Sequence, residues 1–220
     1  MLEEPVFESY RKRFAHAREV CPKICSLLDK YEMPATWAVV GRLMTTKAES
    51  AQFPPPSARA RIAMSGHEDE FHATDLLELV QACKVPQEIA SHSFSHLKFL
   101  PNTPHDTIRE ELALANKAAG LRGIKLESFV FPCNIEGHHE AVKAVGFRCF
   151  RGAAQNWYPG SGILARAGHW ADQSLGLAPS VSICSRHQTR LWNLPASAFL
   201  MPAHGVRAIG AARSRLAKVS

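Results

Sequence analysis

What this 220-residue chain lacks narrows its class before any motif is read. It has no run of eighteen apolar residues, so no segment reads as a membrane-spanning helix. Its opening stretch, MLEEPVFESYRKRFAHAREV, is charged and helical and lacks the basic-then-apolar order of a secretory leader, so a cytoplasmic protein is expected. Six cysteines are present, at 21, 25, 83, 133, 149 and 184, and none forms a CxxC pair. Cys21 and Cys25 share a helix face without a second pair to complement them. Buried free thiols are therefore the simpler reading, and a disulfide framework would be out of place in a cytoplasmic chain of this size. There is no internal repeat and no low-complexity tract. The net charge of +6 comes from scattered residues, dense only in YRKRFAHAR and RAIGAARSRLAK. Neither stretch is interleaved with aromatics as a single-strand platform requires, so no nucleic-acid partner is expected.

What is present is ordinary globular composition, 46% hydrophobic and 21% charged, and enough chain for one well-buried domain over residues 1–220. Tyr10 to Tyr31 reads as a helix, with Phe14, Ala17, Cys21, Ile24 and Leu28 at helical spacing and Pro22 bending it or starting a fresh turn. Thr36 to Val40 reads as a strand closed by Gly41. Residues 46–72, with FPPPSARAR, read as a long irregular loop. Thr74 then reads as a helix cap ahead of Leu76, Leu77, Val80 and Cys83. Further strands are expected at Gln87 to Ser91, in LESFVFP up to Pro132, in GFRCFRG, and in LWNLPASAFL with an interruption at Pro195. Helices are expected at Thr107 to Ala119, Gly137 to Val145 and Ile163 to Asp172. Short apolar strands separated by helices predict parallel strands joined by right-handed crossovers, as an open sheet or a β/α barrel.

In such folds the site lies beyond the carboxyl ends of the strands. His92 falls at such an end, in PQEIASHSFSHLKF, and so do Pro132, Cys133 and Asn134, and Gly152 with its neighbours. His92 and His96 stand four apart, which on a helical turn projects both rings to one side, where neutral imidazoles can share a divalent ion. Zinc suits such ligands, and a catalytic centre adds a carboxylate and an open position for water. With eleven histidines in the chain the spacing alone is weak, and ordinary hydrogen-bonded rings are the alternative.

Four segments occur in a telling order. ASHSFSH resembles the metal-binding motif of the polysaccharide deacetylase family, the NodB-homology proteins. YEMPATWAVVGRLM resembles the strand and turn after that family's first helix, LESFVFPCN its third motif, and AVKAVGFRCFRG the helix and strand that follow. The resemblance is clearest over residues 10–152. It implies an irregular (β/α) barrel with fewer than eight strands, and hydrolysis of N- or O-acetyl groups on an acetylated carbohydrate. It also implies a divalent metal, zinc above all, held by His92 and His96, with an aspartate as base and a histidine as acid.

The pattern departs from the family at several points. No Asp-Asp pair precedes the first helix, where Glu3 and Glu4 read as solvated. Cys133 takes the place where the family often has arginine. His204, in LMPAHGVRA, is a weak candidate for the last motif, and Asp69, in GHEDEFH beside Glu70, for the missing carboxylate. Pro132, Asn134 and Trp157 are the candidate substrate contacts, Trp157 and Tyr158 by stacking on a sugar ring. One expectation is thus a truncated copy, its barrel incomplete at the N-terminal strand. A catalytically inactive member that binds a carbohydrate or a partner is the alternative function. The sequence does not set the oligomeric state.

Overall fold

The structure is a computed structural model that describes residues 4–54, 72–153, 162–175 and 183–196. Two compact units divide the chain, Met1–Cys149 and Phe150–Ser220. No helix among the described residues is long and apolar enough to cross a membrane.

The first unit opens with helix α1, Glu4–Lys30, which runs unbroken through Pro22. Pro22 offers no N–H to the preceding turn, and its carbonyl accepts a hydrogen bond from Ser26 Oγ at 2.9 Å. Cys21 and Cys25 are buried, as their shared helix face suggests, but Phe14 and Ile24 of the expected stripe are exposed. Cys21 and Cys25, four residues apart, mark the face that packs inward, and burial raises the pKa of both thiols. Strand β1, Thr36–Val39, follows, then a 3-10 turn over Gly41–Met44 and another over Ser50–Gln52. Helix α2 is Thr74–Gln81, with Leu77 and Val80 buried. Thr74 is its first helical residue rather than its cap; Ala73 holds the cap position and offers no side-chain acceptor.

Strand β2, Glu88–Ser91, helix α3, His105–Gly120, strand β3, Ser128–Val130, and helix α4, His139–Ala144, complete the alternation. β1 and β2 pair in parallel from Thr36 opposite Glu88 to Val39 opposite Ser91, and β2 pairs in parallel with β3 at Ser91 opposite Phe129. Sequential parallel strands with helical crossovers make this an α/β fold, as the strand-helix order predicts. β1 is less covered than expected: its residues alternate between exposed and half-buried, as suits a strand with β2 as its pairing partner among the described residues. β2 and β3 are the buried strands.

Phenylalanine dominates the core. Phe129 packs against Phe99, Phe131 and Phe147 with ring centroids 4.9–5.3 Å apart, and Ile108, Leu112 and Ala115 of α3 are buried as their spacing predicts. Each of the phenylalanine, isoleucine and leucine side chains removed from water contributes about 1.5–3 kcal/mol. Phe94 stacks on Phe53 at 5.7 Å.

Strand β4, Cys149–Gly152, carries the chain into the second unit. That unit holds helix α5, Gly162–Leu175, and a hairpin of β5, Ser185–Arg186, with β6, Trp192–Pro195. The hairpin is antiparallel, which corrects the all-parallel expectation. Two residues are too short a strand to read from periodicity. The hairpin is set by its turn, where Arg190 is left-handed (φ 64) and His187 Nδ1 lies 2.8 Å from Thr189 Oγ1. Pro195 ends β6 rather than interrupting it.

Candidate metal centre

β2 delivers its buried Ser91 to the rim, and His92 is the next residue. The main chain is then pinned beside β1. His92 N–H donates to Val39 O at 2.9 Å, Gly41 N–H to Ser93 O at 2.8 Å, and Arg42 N–H to Phe94 O at 2.9 Å. Gly41 is required here, because a Cβ would press within 3.0 Å of the Ala115 backbone and of the Phe94 ring.

His92 and His96 do come together, but not on a helical turn. The segment between them is irregular, with Ser93 (φ 59) and His96 (φ 61) in left-handed conformations. Fully buried Phe94 pulls the chain inward against Phe53, and Ser93 Oγ accepts Leu97 N–H at 3.1 Å to close the turn. The two imidazoles end with ring centroids 4.8 Å apart and planes at 66°. The His92 ring is oriented from the neighbouring strand: its Nδ1 donates to Val130 O at 2.8 Å, which puts the neutral ring's lone pair on Nε2. His96 keeps access to solvent, yet the protein around it still desolvates its ring, and that burial, with Lys98, lowers its pKa.

Beneath the turn lies a carboxylate that the motif reading passed over. Glu111 of α3 is fully buried. Its Oε2 accepts Phe94 N–H at 2.9 Å and Ser95 N–H at 2.8 Å, and its Oε1 accepts the Ser95 hydroxyl. Burial raises its pKa against the pull of these bonds. A signal was available: Glu111 falls between Ile108 and Leu112 on the apolar face of α3, where an unpartnered carboxylate would be costly.

The next rim turn follows β3. Pro132 is buried, while Cys133 (φ 57) and Asn134 (φ 54) are exposed and left-handed. Because β2 and β3 are parallel, this turn shares the rim with His92. The two rim loops are joined further out, where His138 Nε2 donates to Leu100 O at 2.8 Å and the His105 and His138 rings lie 4.8 Å apart; within the second loop, His139 Nε2 is 3.5 Å from Glu136 Oε2. Asp69, Glu70, Trp157, Tyr158 and His204 lie outside the described residues. Among the described residues, no group of three or more His, Cys, Asp or Glu side chains is arranged to hold a metal ion, so the histidine pair supplies two ligands there and not a complete set.

Residues 12–134, more than half of the chain, match the sequence profile described as polysaccharide deacetylase. No curated protein matches significantly. Among solved structures, one similar chain is a Mycobacterium smegmatis protein assigned as a polysaccharide deacetylase, with 17% identity and a TM-score of 0.49 over 97% of this chain and 65% of that one. Another is a family 4 acetyl xylan esterase from Clostridium thermocellum in complex with a cobalt ion, with 26% identity and a TM-score of 0.34 over 64% of this chain and 55% of that one. The chain thus spans less than two thirds of the length of either.

Proposed function

Because the chain belongs to the polysaccharide deacetylase family, we propose that it removes acetyl groups from a carbohydrate at the rim turn that carries His92 and His96. One observation supports this above the rest: two imidazoles meet at the carboxyl end of a parallel strand, one of them oriented by a backbone carbonyl. The donor set suits a borderline divalent ion such as zinc, and a ligand imidazole whose second nitrogen donates to a carbonyl is the usual outer-sphere arrangement. A bound cation of this kind supplies Lewis-acid polarisation of the acyl carbonyl and acidifies a water.

The chain's own residues do the rest. His92, held through Nδ1, presents Nε2. His96 favours the neutral, lone-pair form because burial and Lys98 lower its pKa. Asn134, raised on the turn after buried Pro132, offers its amide to the substrate. Asp69 is proposed as the carboxylate that serves as base.

The test is acetate release from acetylated chito-oligosaccharide and acetylated xylan with zinc or cobalt. Release that disappears in His92→Ala is expected. No release with any metal overturns the enzyme assignment. Glycan affinity retained in His92→Ala and His96→Ala, with no metal bound, would point to a carbohydrate-binding member of the family instead.

A further inference from the structure

We infer that Glu111 is a positioning residue that holds the turn between His92 and His96 in the shape that pairs their rings; the inference rests on the metal-binding reading of that turn. Only Ser93, Phe94 and Ser95 separate the two histidines along the chain, apart from the histidines themselves. Their backbone belongs to no helix or strand, so its polar groups need partners from elsewhere. The carbonyls of Ser93 and Phe94 are taken by Gly41 and Arg42, on one side. The amides of Phe94 and Ser95, and the Ser95 hydroxyl, all converge on Glu111. The turn is thus clamped between a carboxylate and the strap after β1. That clamp sustains two left-handed, non-glycine residues, Ser93 and His96, which L-residues adopt only at a cost.

Packing gives no reason for a carboxylate at this place. The position lies on the apolar face of α3, where leucine or alanine would avoid the desolvation of a charge. Three donors from one turn are what the carboxylate serves. Without it both amides lose their acceptor, the turn has no reason to keep its left-handed residues, and the rings separate.

The experiment uses the full chain. Cobalt(II) affinity is measured by calorimetry, and the histidine ring resonances by 15N–1H correlation without metal. Glu111→Ala, folded by circular dichroism, is expected to bind cobalt about 10–100-fold more weakly, as outer-sphere losses do, with the His92 and His96 ring signals shifted or doubled. Glu111→Gln, whose amide oxygen can accept both N–H groups, is expected to restore most of the affinity and the parental ring signals, whereas Glu111→Met, which fills the same space without an acceptor for them, is expected to behave as Glu111→Ala does. A folded Glu111→Ala with parental affinity and parental ring signals overturns the inference. Should Glu111→Ala fail to fold, Ser95→Ala decides: weaker binding and a shifted His96 ring support it, and unchanged values overturn it. If the parent protein itself binds no cobalt, the metal-binding reading falls, and the ring spectra of the same variants still decide whether Glu111 sets the pair.

Discussion

The Nδ1 of His92 lies 2.8 Å from the carbonyl oxygen of Val130, a bond that crosses from the end of β2 to the end of β3. The ring's orientation is therefore set by the neighbouring strand. Val130 follows Phe129, which is fully buried among Phe99, Phe131 and Phe147, so the position of that carbonyl is fixed by the aromatic core.

Phe129→Ala should accordingly affect two properties. Emptying a fully buried ring from this cluster is expected to lower unfolding free energy by about 3–5 kcal/mol, read by urea denaturation. Cobalt affinity should fall in the same variant under conditions where it stays folded. A variant of near-parental stability would contradict the packing described for this cluster.

Gly137→Ala tests the junction of the two rim loops. A Cβ at Gly137 would overlap the Phe99 carbonyl oxygen, which is backbone and cannot swing aside. A loss of about 1–3 kcal/mol is expected, the usual range for overpacking. Thermal denaturation showing no loss would mean that the loops part more easily than this contact implies.

Acid stability should carry the mark of Glu49. The backbone N–H of Thr46 lowers its pKa most, followed by the Thr46 hydroxyl and Arg122, with burial opposing them. Arg122 pairs with Glu49 and also donates to Met44 O at 2.8 Å. A carboxylate with a depressed folded pKa stabilises above its unfolded value of about 4.3 and loses that contribution as pH falls through the folded value. The stability gap between the parent and Glu49→Gln should therefore be open near neutrality and close as pH falls from that unfolded value through the lower folded one. Urea titrations across that range read it, and a gap that widens on acidification contradicts the assignment.

Much of the first unit was legible in the sequence, because its signals are local. Apolar runs bounded by Pro34, Gly41 and Pro132 mark β1 and β3, and Ile108, Leu112 and Ala115 mark the inner face of α3. The place of His92 was also legible, since a residue just past a buried parallel strand falls on the rim. The conformation between the histidines was not. Sequence spacing suggests a helical turn, whereas buried Phe94 and two left-handed residues form an irregular one, and that choice depends on Phe53 and Glu111, 41 and 17 residues from Phe94. The β5–β6 hairpin escaped notice because a two-residue strand has no period to read. On α1 the shared face of Cys21 and Cys25 was legible and both thiols are buried, whereas Phe14 and Ile24, at helical spacing with Cys21, are exposed, because apolar spacing alone does not say how far along a helix its packing partners reach.

The most direct test of the whole account is cobalt(II) titration of the parent chain beside His92→Ala, His96→Ala and the double variant, followed by calorimetry and by the visible absorption of the cobalt form. The account predicts one saturable site in the parent, weakened in each single variant and abolished in the double variant. Equal cobalt binding by the parent and the double variant would contradict it.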